Sequence, residues 1–267
     1  MKSAPVIRIG SVSYLNAKPL IYGLDSATNI RLVLDVPAGL IDGLRTNQFD
    51  VALLPIIDVQ RLENVRVLTS GGIGCDGPTL TVRIFSKVPV EKIDVLACDT
   101  HSHSSVALAR VLLAEAYDRR PDFIDFNHDH PRGTFGGKPQ AILLIGDKVV
   151  CEEPQGFEHQ IDLGEAWKKL TGLPFVFAAW VARDGVELGN LFEQLRKSKQ
   201  NGMAHLPEII RRDAIPRGWP PELAMRYMTE YLKYDIGPRQ LQAIRLFHEL
   251  AAKHGMLDHP PRKLVVI

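Results

Sequence analysis

The sequence predicts an α/β protein with two lobes, mixed but mostly parallel sheets, and a cleft between the lobes. Three observations lead to this fold class. Short apolar runs alternate with segments of helical apolar spacing in the first half of the chain, which is typical of βαβ units. A second series of the same kind follows. The last third of the chain has helical spacing almost throughout.

The first series begins with short apolar runs that we interpret as strands. They lie at 6–12, 30–36, 51–54 and 65–68. Segments 19–24 and 39–46 lie between these runs and have the apolar spacing of a helix. A run rich in β-branched residues at 79–85 predicts a longer strand at the end of this series.

The second series and the helical last third complete the predicted elements. Strands are predicted at 93–97, 123–126, 141–145 and 175–181, and helices at 106–116 and 163–170. The content of Gly, Pro and His makes 127–138 a loop. Further helices are predicted at 186–199, 206–213, 222–234 and 239–254. Pro238 suits the first turn of the last helix.

This layout predicts that the chain crosses between the lobes twice, near 85–89 and near 178–183. Lobe I would then comprise residues 1–85 and 183–267, and lobe II would be the inserted segment 86–182. Ligands of such sheets lie beyond the carboxyl ends of the strands. We therefore expect the binding site in the cleft.

The composition excludes some classes of partner. The 267 residues include 32 Lys and Arg against 31 Asp and Glu, so no overall charge attracts nucleic acid or an anionic membrane. Any anionic ligand must be held by local groups. We expect a small molecule as the partner, no nucleic acid, and a chain that is a monomer or a homodimer.

The beginning of the chain gives an expectation about location. Residues 1–5 lead directly into the first predicted strand, without the charged and apolar regions of a signal peptide. No apolar run is long enough to span a bilayer. We therefore expect a cytoplasmic protein that does not interact with a membrane.

Metal and cofactor sites are not expected. Cys75, Cys98 and Cys151 lack the spacing of metal ligands, and we interpret them as small buried or half-buried side chains. The group formed by His128, Asp129 and His130 is flanked by Pro and Gly, which indicates an exposed loop. We assign neither a metal nor a cofactor.

The first candidate segment for binding follows the first predicted strand. Ser11, Ser13, Tyr14 and Asn16 offer hydroxyl groups and an amide at the carboxyl end of this strand. These groups donate hydrogen bonds to a carboxylate or position a hydroxyl without adding charge. The alternative is that Ser13 or Asn16 only caps the following helix.

The second candidate is a polar run just before the helix at 106–116. Backbone N–H groups at a helix start lack partners within the helix and, with the helix dipole, form an anion site. His103, Ser104 and Ser105 lie in this run. The alternative is a plain cap by Ser102 or Ser104. We interpret His101 as a solvated loop histidine.

Other candidates lie at the ends of further strands. Gly77 belongs to a glycine-rich stretch that allows close approach of a ligand or forms a tight turn. The stretch lacks the pattern of a phosphate loop. Pro55 ends one predicted strand, and Asp147 ends another, where its carboxylate points into the cleft or caps the following turn.

The chain resembles the chorismate dehydratase family over nearly its whole length. The similar segments are 8–20, 42–55, 99–113, 145–150, 162–183 and 231–257. The most specific are VSYLNAKPL at 12–20 and DLGEAW with GLPFVFA within 162–183. The resemblance implies a type 2 periplasmic-binding-protein fold used as an enzyme. It also implies loss of water from chorismate, a small-molecule dicarboxylate, to give 3-[(1-carboxyvinyl)oxy]benzoate in menaquinone biosynthesis by the futalosine pathway.

The resemblance also frames the roles of the candidate residues. Asn16, Ser11 and Asp147 form the candidate catalytic set. Ser13, Tyr14, Pro55, Gly77, His103, Ser104 and Ser105 form the candidate binding set. The general base stays open among Asp147, His103 and the side-chain carboxylate of the substrate. His103 stands where the family commonly has arginine, so it grips a carboxylate only as a cation or as a neutral single donor.

Three alternatives share this fold. A solute-binding protein would bind without chemistry and would normally carry an export signal. A synthase of 1,4-dihydroxy-6-naphthoate has a SPCPNDTF-like stretch where this chain has SVSYLNAKP at 11–19. A regulator would need a DNA-binding helix-turn-helix, and we find no strongly basic recognition helix.

Overall fold

The strands and helices are described from a computed structural model that covers residues 6–99, 102–126, 139–152 and 154–267. The strands are β1 (Ile7–Ser11), β2 (Ile30–Leu34), β3 (Val51–Pro55), β4 (Val65–Cys75), β5 (Val82–Ser86), β6 (Val95–Asp99), β7 (Asp122–Phe126), β8 (Ala141–Ile145), β9 (His159–Asp162), β10 (Phe175–Arg183) and β11 (Leu232–Lys233). The helices are α1 (Lys18–Ile21), α2 (Pro37–Arg45), α3 (His103–Tyr117), α4 (Asp147–Cys151), α5 (Leu163–Thr171), α6 (Leu191–Ala204), α7 (Leu206–Ile209), α8 (Pro221–Arg226) and α9 (Pro238–Lys253).

The strands form two mixed sheets. A six-stranded sheet has the order β11-β4-β10-β3-β1-β2, and a five-stranded sheet has the order β7-β6-β8-β5-β9. In the first sheet β1 pairs in parallel with β2 and β3, while β10 runs antiparallel to β3 and β4. In the second, β6 pairs in parallel with β7 and β8, while β5 is antiparallel to β8 and β9. The sheets are mixed as predicted, but they are not mostly parallel: among the described strands, five pairings are antiparallel and four are parallel.

The two sheets correspond to two lobes, and their strands correct the predicted boundaries. β5 belongs to the five-stranded sheet, although the prediction assigned it to lobe I. β10 belongs to the six-stranded sheet, although the prediction ended lobe II at residue 182. The chain therefore crosses between the sheets at 76–81 and 163–174, earlier than predicted both times. Both strands are apolar runs, and their apolar character does not reveal which sheet they join.

The two crossings are tied together by one side chain. Asp162 caps α5 by accepting hydrogen bonds from the backbone N–H groups of Gly164 and Glu165. The same carboxylate accepts from the N–H groups of Thr79 and Leu80 in the other crossing, at 2.8–3.1 Å. Leu80 has a φ of 68°, a left-handed conformation that costs free energy outside glycine. The hydrogen bonds from Thr79 and Leu80 to Asp162 hold this conformation in place.

Aromatic rings pack beside the second crossing. Trp167 on α5 contacts Phe175 on β10 and Phe247 on α9 edge to face, with ring centroids 5.3 and 6.1 Å apart. All three side chains are buried. The Trp167 indole also donates to the Pro174 carbonyl at 2.9 Å. This cluster joins α5, which follows the last strand of the five-stranded sheet, to β10 of the six-stranded sheet.

Several predicted elements change in detail. The glycine-rich stretch belongs to β4 as far as Cys75, so it is a strand and not a tight turn. The predicted strand at 79–85 begins only at Val82. β9 and β11 were not predicted, and the helices predicted at 206–213 and 222–234 each end in a π-helical turn. The predicted loop at 127–138 lies outside the described residues.

Candidate active site

A cavity of about 320 Å³ lies between the two sheets. The side of the six-stranded sheet contributes Val12, Tyr14, Asn16, Leu53, Pro55 and Phe177. The other side contributes Thr81, Ser102, His103, Ser104, Ser105 and Asp147. Most of these residues follow the carboxyl ends of β1, β3, β6 and β8 or lie at them, as expected for an α/β protein. Thr81 precedes β5, and Phe177 lies near the start of β10. The lining combines apolar side chains with hydroxyl, amide and charged groups, which suits a small ring that carries polar substituents.

Most of the predicted site residues come together at this cavity. Those that line it are Tyr14, Asn16, Pro55, His103, Ser104, Ser105 and Asp147. They are far apart in sequence, and the two sheets bring them to one place.

Three predicted residues do not line the cavity. Ser11 is fully buried, and its hydroxyl faces the Val12 carbonyl at 3.4 Å. Ser13 is exposed, and its carbonyl accepts a hydrogen bond from Arg217. Gly77 lies in the first crossing, with a φ of 126° that favours glycine. Ser11 is the last residue of β1 and Ser13 lies past its end, and neither side chain is part of the cavity lining.

Asn16 lies in a short 3₁₀ turn after β1 and is linked to Tyr227. The helix start at this position has no side-chain cap, so the capping alternative for Asn16 and Ser13 does not apply. Burial raises the pKa of Tyr227, while hydrogen bonds with Thr81 and Asn16 oppose the rise. The Tyr227 and Thr81 hydroxyls are 2.8 Å apart. Among the described residues, Asn16 Oδ1 is buried without a hydrogen-bond partner, so it is placed to accept a hydrogen bond from a ligand.

The start of α3 forms the opposite wall. Ser102 precedes the helix and makes no side-chain cap, so the capping alternative for this residue does not apply. Ser104 is buried, and its hydroxyl accepts from the Ile57 N–H at 3.3 Å. Ser105 is also buried at the cavity wall. The first N–H groups of this 15-residue helix and its dipole favour an anion here.

His103 is held by a buried acid that sequence reasoning missed. Its Nδ1 is 2.7 Å from Oδ2 of Asp58, whose side chain is fully buried. The other Asp58 oxygen accepts from Arg61 at 2.8 Å. Asp58 lies in the 3₁₀ segment Ile56–Arg61 that follows β3. The segment in which it lies contains no motif that would identify it as a site residue.

Asp147 begins α4 and forms a contact across the cleft. Its Oδ1 accepts a hydrogen bond from the Trp219 indole at 2.8 Å, and its Oδ2 is 3.8 Å from Arg217 Nε. Trp219 stacks on Tyr227, with ring centroids 5.0 Å apart. Because both oxygens face donors, Asp147 is less available as a base than the sequence prediction assumed.

The network at the cavity also includes Thr81, Tyr227 and Lys148, which were not predicted as site residues. Thr81 lies in a crossing that was interpreted as a strand. Tyr227 lies in a helical segment whose aromatic residues match a core pattern. Lys148 follows Asp147 directly and adds a cation to the lining. Of the three residues, only Lys148 was indicated by the sequence, through its position beside a candidate residue.

Within the described ranges, no three His, Cys, Asp or Glu side chains gather in a way that would hold a metal ion. His101, His128, Asp129 and His130 lie outside these ranges. No helix in the described part of the chain combines the length and apolar character needed to cross a bilayer.

Two curated proteins are similar to the chain over most of its length. The chorismate dehydratase of Thermus thermophilus is 25% identical over 264 residues, covering 90% of this chain and 93% of that protein. The chorismate dehydratase of Campylobacter jejuni is 25% identical over 246 residues, covering 89% of this chain and 94% of that protein.

Solved structures confirm the predicted fold. A protein of Archaeoglobus fulgidus superposes with a TM-score of 0.74 at 17% identity, covering 94% of this chain and 98% of that one. A Candida albicans protein described as having the generic periplasmic binding protein fold has a TM-score of 0.66 at 12% identity, covering 96% and 92%. The chain therefore has a periplasmic-binding-protein-like fold, and its cavity lies between the lobes.

The relatives, the fold and the cavity are consistent with one family assignment. The profile of the menaquinone biosynthesis family matches residues 7–253, nearly the whole chain. The protein therefore belongs to the menaquinone biosynthesis family.

Proposed function

We propose that this protein is a chorismate dehydratase, a hydro-lyase that converts chorismate to 3-[(1-carboxyvinyl)oxy]benzoate and water. The observation that carries the proposal is the cavity between the lobes. Its lining combines apolar side chains with Lys148, His103 and the Asn16 Oδ1 acceptor. The curated relatives that bear this enzyme name support the choice of substrate.

The substrate is a ring acid with two carboxylates, and the start of α3 suits one of them. The N–H groups of the first turn and the Ser105 hydroxyl act as donors without a charge of their own. Lys148 on the α4 side supplies a cation to the lining. The apolar residues Leu53 and Phe177 then contact the ring. Together these local groups explain how a chain with nearly balanced positive and negative charges binds a dianion.

The reaction removes a proton from the ring carbon that carries the ether oxygen, and hydroxide from its neighbour. The C–H electron pair becomes a ring double bond, the C–O bond breaks, and the ring becomes aromatic. Charge develops at the ring carboxylate during this step, so donors aimed at that carboxylate lower the barrier. Asn16 Oδ1 accepts a hydrogen bond from the ring hydroxyl and orients it. Candidates for the base are His103, Asp147 and the side-chain carboxylate of the substrate.

The cleft contributes by excluding water from the reacting groups. Contacts from Asp58 to His103 and from Asp147 to Trp219 join the two sides of the cavity. Closure of this kind aligns reacting groups and strengthens electrostatic interactions between them. The cytoplasmic location and the choice between monomer and homodimer stay predictions.

The test is incubation of the purified protein with chorismate. We expect an aromatic product whose mass is that of chorismate less one water, detected by absorbance and mass spectrometry. The surface variant Asp42→Asn, in an exposed ion pair with Arg45, serves as a control and should be as active as the wild type. Binding of chorismate without conversion would indicate a solute-binding protein instead. If the protein neither binds nor converts chorismate, the proposed substrate is wrong as well.

A further inference from the structure

We infer that Tyr227 is a positioning residue that orients the Asn16 amide, so that Asn16 Oδ1 faces the ligand. This inference rests on the proposed function, in which Oδ1 accepts a hydrogen bond from the ring hydroxyl, and adds to it the group that fixes this acceptor. It is carried by the place of both side chains in the cavity wall and by the contacts that hold the Tyr227 hydroxyl.

The ring of Tyr227 is fixed by its packing. It is buried in the π-helical turn Tyr227–Tyr231 that follows α8. Trp219 stacks on it, with ring centroids 5.0 Å apart and ring planes 25° from parallel. Trp219 is buried as well, and its indole donates to Asp147 at 2.8 Å. The Tyr227 hydroxyl therefore has a defined position in the cavity wall, as a group that orients another side chain requires.

The Tyr227 hydroxyl serves two neighbouring side chains. Its oxygen is 2.8 Å from Thr81 Oγ1, and Asn16 is its second hydrogen-bonding group. Burial raises the pKa of Tyr227, so the hydroxyl keeps its proton at neutral pH. A phenol hydroxyl donates one hydrogen bond and also accepts. It therefore accepts from one of the two neighbours while it donates to the other.

The free oxygen of Asn16 decides the direction of these hydrogen bonds. Within the described ranges, Asn16 Oδ1 is buried without a hydrogen-bond partner, so this oxygen does not accept from Tyr227. The amide N–H of Asn16 is then the donor to the Tyr227 oxygen, and Tyr227 donates its own hydrogen to Thr81 Oγ1. The hydroxyl thus binds the N–H side of the amide and leaves the oxygen side to the ligand.

This orientation matters for the ring hydroxyl of chorismate. An amide that turned over would present N–H groups to the ligand, and these cannot accept the hydroxyl hydrogen. Without Tyr227 Oη, both orientations of the Asn16 amide become accessible. Tyr227→Phe removes this one oxygen and keeps the ring that stacks on Trp219, so it tests the hydroxyl separately from the packing.

The test compares Tyr227→Phe with the wild type on chorismate and on the product. We expect kcat/KM for chorismate to fall by about 10- to 100-fold, because a catalytic group loses its orientation. The product 3-[(1-carboxyvinyl)oxy]benzoate has lost the ring hydroxyl, so its inhibition constant should change by less than about twofold. Equal losses for the two compounds would mean that the substitution only loosens the cavity, and the inference would be wrong.

A double variant shows whether Tyr227 acts through Asn16. In the Asn16→Ala background, Tyr227→Phe should lower kcat/KM by less than about threefold, because the amide that it positions is gone. The full effect of Tyr227→Phe in that background would mean that the hydroxyl acts on the ligand without Asn16, which would overturn the positioning role.

Tyr234→Phe is the matched control. Tyr234 is also a buried tyrosine, but in the described part of the chain its hydroxyl has no hydrogen-bond partner, and it is not among the described residues that line the cavity. The control removes the same atom and should leave kcat/KM and the inhibition constant within about twofold of the wild type. If Tyr227→Phe behaves like Tyr234→Phe, the inference is wrong.

A further readout does not depend on turnover. The side-chain NH₂ signal of Asn16 is assigned by its loss in the spectrum of Asn16→Asp. This NH₂ should exchange slowly with water in the wild type and faster in Tyr227→Phe. Free exchange in the wild type, or equal exchange in the two proteins, would overturn the inference whatever the substrate. A wild type with a protected NH₂ that does not act on chorismate would contradict the proposed function and leave the orientation of the amide standing.

Discussion

Asn16 shows most clearly how one residue links the fold to the chemistry. Its Oδ1 is buried at the cavity and has no hydrogen-bond partner in the described part of the chain, although buried polar atoms are almost always paired. An unpaired buried acceptor costs about 1–3 kcal/mol. A substrate hydroxyl placed at this atom recovers that free energy, so the site is organised for a ligand before the ligand binds.

Replacement of Asn16 by alanine should therefore affect turnover more than binding. We expect kcat to fall by about 10²-fold or more, since an oriented polar group in an active site contributes on that scale. KM should change by a smaller factor. Asn29→Ala is a suitable control, because Asn29 pairs with Gln194 and does not line the cavity. Steady-state kinetics that show unchanged turnover for Asn16→Ala would remove this residue from the catalytic set.

His248 gives a prediction about stability and pH. It is buried, and desolvation lowers its pKa from 6.5 to about 4. In the unfolded chain the side chain binds a proton below about pH 6.5, whereas in the folded protein it stays neutral until about pH 4. The unfolded state binds more protons between these values, so stability is lost as pH falls from 6.5 to 4.

The expected loss from this residue is on the order of 3 kcal/mol between pH 6.5 and pH 4. Urea unfolding across this range, compared between the wild type and His248→Gln, isolates the contribution. The free energy of unfolding of the variant should fall less steeply with decreasing pH. Parallel curves for the two proteins would show that His248 does not titrate as described.

Much of the site was predictable from single residues, because the polar groups follow strands at a common edge. Asn16, His103, Ser104, Ser105 and Asp147 were identified on this basis. The partners of these residues were not predictable. Asp58, Thr81 and Tyr227 reach the cavity only through the pairing of distant segments, and no local pattern distinguishes them from core or surface residues.

At the level of elements, the crossings between the lobes depend on Asp162. This residue caps α5 and also accepts hydrogen bonds from Thr79 and Leu80 in the other crossing. One carboxylate thus fixes the start of a helix and the relative position of two chain segments. This double role gives a physical reason why the DLGEAW segment is among the most specific parts of the family resemblance.

Asp162→Ala should destabilise the protein by about 2–4 kcal/mol, since it removes a helix cap and leaves further N–H groups without a partner. Urea denaturation measures the change. Asn190→Ala is the matched control: Asn190 precedes α6 but makes no side-chain cap, so its replacement should change stability by less than about 0.5 kcal/mol. Equal effects of the two substitutions would contradict the role of Asp162.

Element types were more predictable than element boundaries and partners. The βαβ segments of the first half and the helix at α9 follow directly from apolar spacing. The glycine-rich end of β4 was missed because glycine weakens a strand pattern, although here it allows β4 to approach β10 closely: a Cβ on Gly74 would lie 2.5 Å from the Phe175 carbonyl. Short strands such as β11 contain too few residues for any periodicity.

At the scale of the whole molecule, the site exists only where the two lobes meet. Asp58 follows a strand of the six-stranded sheet, and His103 follows a strand of the five-stranded sheet. Trp219 and Asp147 form a second contact across the cleft. Opening of the lobes would break both contacts. In the proposed mechanism, closure around a ligand therefore also assembles the groups that act on it.

The most direct test of this claim is a crystal structure with 3-[(1-carboxyvinyl)oxy]benzoate bound. We expect the aromatic ring on Leu53 and Phe177, one carboxylate at the first N–H groups of α3, and Asn16 and His103 within contact of the ligand. A ligand bound outside the cleft, or one in the cleft that touches neither Asn16 nor His103, would contradict the proposed site.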